Sequence, residues 1–229
     1  DTNIVSAVTT DDQEAVADDF RRYDLTSIAV CDKENRLVGI ITIDDIVDVI
    51  QDENTEDIKK MAAIIPSDED YMKTSVWSLV AHRLPWLMLL MISATFTGMI
   101  ISANEETLNM PVFGIILTAS IPMLMDTGGN AGSQASVTII RGIALGEVGF
   151  RDLGKVMWKE LRASILLGLT LAVACFAKLM IVDRLWAINN GFTVALVICL
   201  ALLSTVILAK LIGCTLPLIA KKCHLDPAV

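Results

Sequence analysis

The sequence predicts two unlike parts, an α/β segment facing the cytosol and an all-α polytopic membrane domain. Three observations carry this. The 229 residues are 54% hydrophobic with a mean hydropathy of +0.59, too apolar for an ordinary soluble domain of this length. Charge is divided unevenly, with 19 Asp/Glu against 7 Lys/Arg in residues 1–80 and 8 against 11 in residues 81–229. Apolar runs of membrane-spanning length occur only in the second part.

The acidic part alternates strand and helix patterns. Asp11 to Tyr23 reads as a helix, Ser27-Ile28-Ala29-Val30-Cys31 as a buried strand and Asp32-Lys33-Glu34-Asn35 as a polar turn. Leu37 to Ile43 is a second strand running into a helix that opens at Asp44. About fifty residues make a marginal core, so this unit is expected to lean on a partner domain or a second subunit. A long acidic helix from Asp44 towards Ala63 is expected to break at Pro66, and Asp68 is placed to cap a further helix ending near Arg83.

Four apolar spans follow, about 84–102, 108–141, 163–182 and 191–219. The second is apolar to about Met125 and then polar and glycine-rich. Basic residues set the orientation. Arg83, the group Arg141, Arg151, Lys155, Lys159 and Arg162, and the pair Lys221-Lys222 belong on the cytosolic side. The link Ala103 to Thr107, with Glu105 and Glu106 but no basic residue, belongs outside, as does the turn near Asp183. The opening Asp1-Thr2-Asn3 has neither a basic start nor an apolar run, so no signal peptide is expected and the chain reads as cut from a longer one. The five cysteines contain no CxxC pair and read as small core residues, and the acidic balance argues against nucleic acid as a partner.

The sharpest motif is Asp126-Thr127-Gly128-Gly129-Asn130-Ala131-Gly132-Ser133-Gln134, within a run from Ile121 to Arg141. A carboxylate at a membrane helix is costly and normally faces protein or a water-filled path. Oxygen-only groups suit Mg²⁺, which keeps several of its waters. Two readings stand side by side: an ion path, and simple helix packing through the Gly128/Gly132 GxxxG spacing. Asp-Thr-Gly alone does not make an aspartic protease, because no second such carboxylate exists in the chain.

Two further features lie in the acidic part. Thr42 and Asp45 end a strand at a helix start, where Asp can hold ribose hydroxyls, while an Asp N-cap at Asp44 is the plainer reading. Asp45, Asp48, Asp52 and Glu56 recur at three- and four-residue steps and share a helix face, which suits either a divalent-cation sensor or a solvated surface. Lys178 is placed to snorkel, and Lys210 either to snorkel or to approach an ion path. His82 and His224 flank spans and form no ligand set.

Together, the Asp126 to Gln134 element with Arg141, and Leu37 to Asp45 upstream, resemble the MgtE family of magnesium transporters. The resemblance implies that residues 1–53 are a partial CBS (cystathionine-β-synthase-type) module, 54–82 a linker and plug helix, and 83–229 the first four of five membrane helices, the fifth being absent. It implies a homodimer in the plasma (inner) membrane, importing Mg²⁺ and closing when cytosolic Mg²⁺ is high. Pore residues would be Asp126, Thr127, Gly128, Gly129, Asn130, Gly132 and Gln134. Regulatory ligands would be Glu14, Asp24, Asp45, Asp48, Glu53, Glu56 and Asp57, with ATP at Thr42 and Asp45. The alternatives are a CBS-regulated transporter of another divalent cation and a membrane-anchored nucleotide or metal sensor. No nucleophile, acid–base pair or metal set marks an enzyme.

Overall fold

In the computed structural model, residues 4–67, 71–110, 113–182 and 191–223 are described. Asp68, the turn at Asp183, His224 and the segment from Leu225 onward fall outside them. Contacts divide the chain into two units, Asp1–Trp86 and Leu87–Val229.

The first unit is a three-stranded sheet with two helices. Strands β1 (Ser6–Val8) and β2 (Ser27–Cys31) pair in parallel, and β2 pairs antiparallel with β3 (Leu37–Thr42). The crossover between β1 and β2 is helix α1 (Gln13–Tyr23), which opens with the Asp12 carboxylate accepting from Glu14 N and closes on Asp24 in the left-handed region at φ 51°. Helix α2 (Ile43–Met61) leaves β3 directly. Its core is small: Ala7, Val16, Ala17, Phe20, Ile28 and Ile46, all buried. Leu37, Val38 and Ile40 on β3 stay exposed, as a small α/β unit of this size leaves part of its apolar surface uncovered.

The helix start differs from expectation in detail. Thr42, not Asp44, is the N-cap residue, and Asp45 at the third helical position folds back on it. The reciprocal Thr-x-x-Asp arrangement satisfies an orphan amide that an Asp44 cap would have left to water. The link beyond α2 is tied down by Lys59 Nζ donating to Ser67 O at 2.6 Å and by Ile65 N donating to His82 O at 3.1 Å.

No helix ends near Arg83. Helix α3 runs unbroken from Val76 to Ala103 with Pro85 inside it. Proline removes one backbone donor, a loss that membrane helices tolerate. No residue of α3 is buried.

After a single turn, α4 (Glu105–Leu108), three long helices build the second unit: α5 (Phe113–Ala144), α6 (Leu153–Ala177) and α7 (Phe192–Lys222). A 3₁₀ turn, Phe150–Asp152, precedes α6, and a π turn, Lys178–Val182, follows it. Helix α7 is the centre of the packing. Its Val194, Ala195, Ile198, Cys199, Leu202 and Val206 pack with Ile116 of α5 and Cys175 of α6, and its Cys214 and Leu218 with Ala135, Ile139 and Ile143 of α5.

Registers fix the directions. Gly128 meets Thr205 and Gly132 meets Ala209, so α5 and α7 run parallel. Gly168 meets Leu203 and Glu160 meets Lys210, so α6 runs antiparallel to α7. Among the described residues, three stretches are long and apolar enough to cross a bilayer: Val76–Ala103, Phe150–Ile181 and Phe192–Lys222. Helix α5 is as long, at 32 residues, but Asp126, Asn130 and Gln134 interrupt its apolar character. Its parallel alignment along α7 places it through the same thickness.

Candidate functional site

Helix α5 has two chemically different faces, and the 3.6-residue period separates them. Gly128, Ala135, Ile139 and Gly142 are buried towards the bundle. A Cβ on Gly128 would stand 2.6 Å from Thr205 Cγ2, and one on Gly132 would stand 3.2 Å from Ala209 O. Packing therefore accounts for these two glycines: they let α5 and α7 approach at backbone distance.

Asp126, Gly129, Asn130, Ser133, Gln134, Thr138 and Arg141 lie on the other face and are exposed, with Thr127 half-buried at its margin. Asn130 Nδ2 donates to Asp126 Oδ1 at 3.1 Å, and Thr138 Oγ1 to the Gln134 carbonyl at 2.7 Å. Nothing lies within 4 Å of a Cβ built on Gly129. The result is a stripe of oxygen acceptors two to three turns long on a helix whose other side is dry.

The residues singled out in the acidic part are distributed more widely. Glu14 is on the first turn of α1, Asp24 caps its end, and Asp45, Asp48, Glu53, Glu56 and Asp57 follow along α2. The structure draws Glu14 towards Glu53 and Asp57. Partial burial, followed by the charges of Glu53, Asp57, Asp12 and Asp18, raises the pKa of the Glu14 carboxyl. Gln13 Nε2 bridges the two helices by donating to Glu53 Oε1 at 3.1 Å. Glu56 is paired with Lys60 at 2.7 Å. Asp24, Asp45 and Asp48 are exposed, and among the described residues no three His, Cys, Asp or Glu side chains stand close enough together to hold a metal ion.

Thr42 and Asp45 are brought together, but with each other. Asp45 Oδ2 accepts from Thr42 N at 3.2 Å and from Thr42 Oγ1 at 2.7 Å, and these bonds to the ionised form lower its pKa.

Residues 121–229 match the MgtE family, described as divalent cation transporter, and residues 1–52 match the CBS domain. Nearly the whole chain aligns with proteins named magnesium transporter MgtE. Identity is 35% for that of Thermus thermophilus and 36% for that of Bacillus subtilis, covering 99% and 100% of this chain and 48% of each relative. It is 31% for that of Enterococcus faecalis, covering 99% of this chain and 47% of the relative. The chain is thus similar to MgtE transporters over nearly its whole length, with the MgtE match confined to residues 121–229. It spans about half the length of the curated relatives it matches. The MgtE match begins at residue 121, inside α5 and just ahead of the polar stripe, and the CBS match covers the sheet and the start of α2.

Two pairings in the membrane part have no signature in the sequence. Lys210 does not snorkel; it is buried against Glu160 of α6, with Nζ 3.0 Å from Oε2. Cys175 and Cys199 share one buried cluster across the α6–α7 contact. Each pair joins residues far apart in sequence, so neither periodicity nor spacing points to it. The one available signal was negative: a lysine in an apolar run needs a partner.

Proposed function

We propose that the chain is the regulatory and membrane part of a Mg²⁺ importer in the plasma (inner) membrane, with the exposed face of α5 lining the ion path. The single observation that carries this is the split of the Asp126 to Gln134 element into a packed glycine face and an exposed oxygen face. Lipid cannot cover Asp126, Asn130, Ser133 and Gln134 without a large desolvation penalty, so water, protein or a hydrated ion covers them. The waters around Mg²⁺ are strong donors, and carboxylate, amide and hydroxyl oxygens are the acceptors that receive them. A second copy placed across this face would enclose the path, which makes a homodimer the natural assembly.

The acidic part serves in this reading as a cytosolic Mg²⁺ gauge. The donor chemistry of Glu14, Asp24, Asp45, Asp48, Glu53, Glu56 and Asp57 suits a hard cation. Because these residues do not converge within one chain, the ion would bridge separate elements or subunits. Relief of the repulsion around Glu14 then favours the arrangement that closes the path. ATP at Thr42 and Asp45 would use Asp45 Oδ1, since Oδ2 is held by Thr42. Another divalent cation is the second reading, favoured by the breadth of the matched family's description.

The test is Asp126→Asn in the full-length protein, expressed in a host unable to import Mg²⁺. Growth at limiting Mg²⁺ is expected to fall at unchanged membrane expression. Undiminished growth would assign the whole element to packing.

A further inference from the structure

The polar stripe can work only if α5 is held at one depth and one rotation; the close contacts at Gly132 tie α5 to α7, so α7 itself has to be held. Lys210 is placed to hold it. It stands on α7 immediately after Ala209 and three residues before Gly213, the two residues that abut Gly132. Its side chain is 10% exposed and that of Glu160 is 16% exposed, with Nζ and Oε2 3.0 Å apart. Glu160 Oε2 is fully shielded from solvent and takes no well-directed hydrogen bond among the described residues. A buried charge whose oxygen has one ionic neighbour and no alternative acts as a strict distance restraint, because any slip leaves both charges unpaired in a low-dielectric site. Apolar contacts along the same seam carry no such penalty for a one-residue slip.

We infer that Glu160 and Lys210 are a positioning pair that fixes the register of α7 on α6 and so, because Gly132 is seated on Ala209 and Gly213, the depth of α5. This deepens the proposed ion path and rests on it, since the register of α5 sets where Asp126, Asn130 and Gln134 stand. The pair touches no substrate. Its role is to orient the helix that does.

Two readouts in the full-length protein separate this inference from the transport reading. The first is independent of transport: Gly168→Cys with Leu203→Cys, whose positions are in contact, tests α6–α7 register by oxidative cross-linking. A protease site inserted in the link between α6 and α7 gives two fragments that stay joined only when the cross-link has formed. Glu160→Gln or Lys210→Met is expected to cut cross-linking at least threefold, and the exchange Glu160→Lys with Lys210→Glu to restore it within twofold. The second readout is Mg²⁺ uptake without the added cysteines. The single variants are expected to raise the half-saturating Mg²⁺ concentration at least fivefold, with Lys210→Arg near the parent. A merely structural pair would instead lower maximal uptake at constant half-saturation, and that result overturns the positioning role. Unchanged cross-linking overturns it as well, whether or not the parent transports. A parent that takes up no Mg²⁺ defeats the transport reading, and cross-linking then decides the register claim by itself.

Discussion

Gly213 of α7 rests directly on the carbonyl of Gly132 of α5, with no room for a methyl group between the two backbones. Pro217, four residues on, has no N–H to bond the Gly213 carbonyl. Gly213→Ala should therefore force the helices apart. The expected loss is about 1–3 kcal/mol, the usual range for overpacking, read as a lower thermal midpoint of the detergent-solubilised protein. Gly129→Ala, on the open face, should leave that midpoint unchanged.

The alternation of parallel and antiparallel contacts gives a second prediction. With α5 and α7 running one way and α6 the other, the turn around Arg151 and the end of α7 at Lys221 and Lys222 share a side of the membrane. Lys222 Nζ lies over the Phe150 ring at 4.2 Å, which joins them. The placement of basic residues leads to the expectation that this side is cytosolic. Membrane-impermeant thiol labelling from outside should modify Glu105→Cys and miss Arg151→Cys in a cysteine-free background. The reverse pattern would remove the basis for a cytosolic gauge.

Much of this architecture was legible because its signals are local. The strands Ser27–Cys31 and Leu37–Thr42 and the helix Gln13–Tyr23 follow from short-range patterning, and the structure returns them within two residues of expectation. The helix end expected near Arg83 is absent: helix Val76–Ala103 continues through Pro85, a lost donor that membrane helices tolerate. The packing and ion-path readings of the Asp126 element looked like rivals in one dimension. On the helix they are opposite faces: Gly128 and Gly132 point at α7, Asp126 and Asn130 away from it. The Glu160–Lys210 pair lay beyond reach, since only the antiparallel register of α6 and α7 brings those residues together.

Glu14 supplies a prediction in pH. Partial burial and the neighbouring carboxylates raise its pKa, so ionisation works against the folded arrangement. The stabilisation is fully present below the unfolded-state pKa and is lost as pH rises through the raised folded-state value. Glu14 is largely exposed, so the effect is below about 1 kcal/mol. Hydrogen exchange in peptides from α1 and α2, corrected for intrinsic rates, should show protection falling from pH 4 to pH 7. Glu14→Gln should flatten that dependence, and millimolar Mg²⁺ at pH 7 should restore protection in the parent but add little in the variant.

The acidic face of α2 gives the last prediction. Two unit charges about 4 Å apart interact by about 4 kcal/mol at an effective dielectric near 20, reduced by salt at exposed sites. Lys60 neutralises Glu56, leaving Asp45, Asp48 and Glu53 to be balanced along the same helix. If Mg²⁺ bridges such carboxylates better in the closed arrangement, closure follows in proportion to that difference in affinity. Replacing Asp45, Asp48, Glu53, Glu56 and Asp57 by their amides has two conceivable effects. It removes repulsion, which favours closure, and it removes the ligands, which abolishes closure by Mg²⁺. The second should dominate, because bridging requires the carboxylates while repulsion between exposed groups is already screened. In patch recordings of the full-length protein, the amide variant should stay open at millimolar internal Mg²⁺, with unitary conductance like the parent's. Closure at the parent's Mg²⁺ concentration would make the cluster a solvated helix face and nothing more.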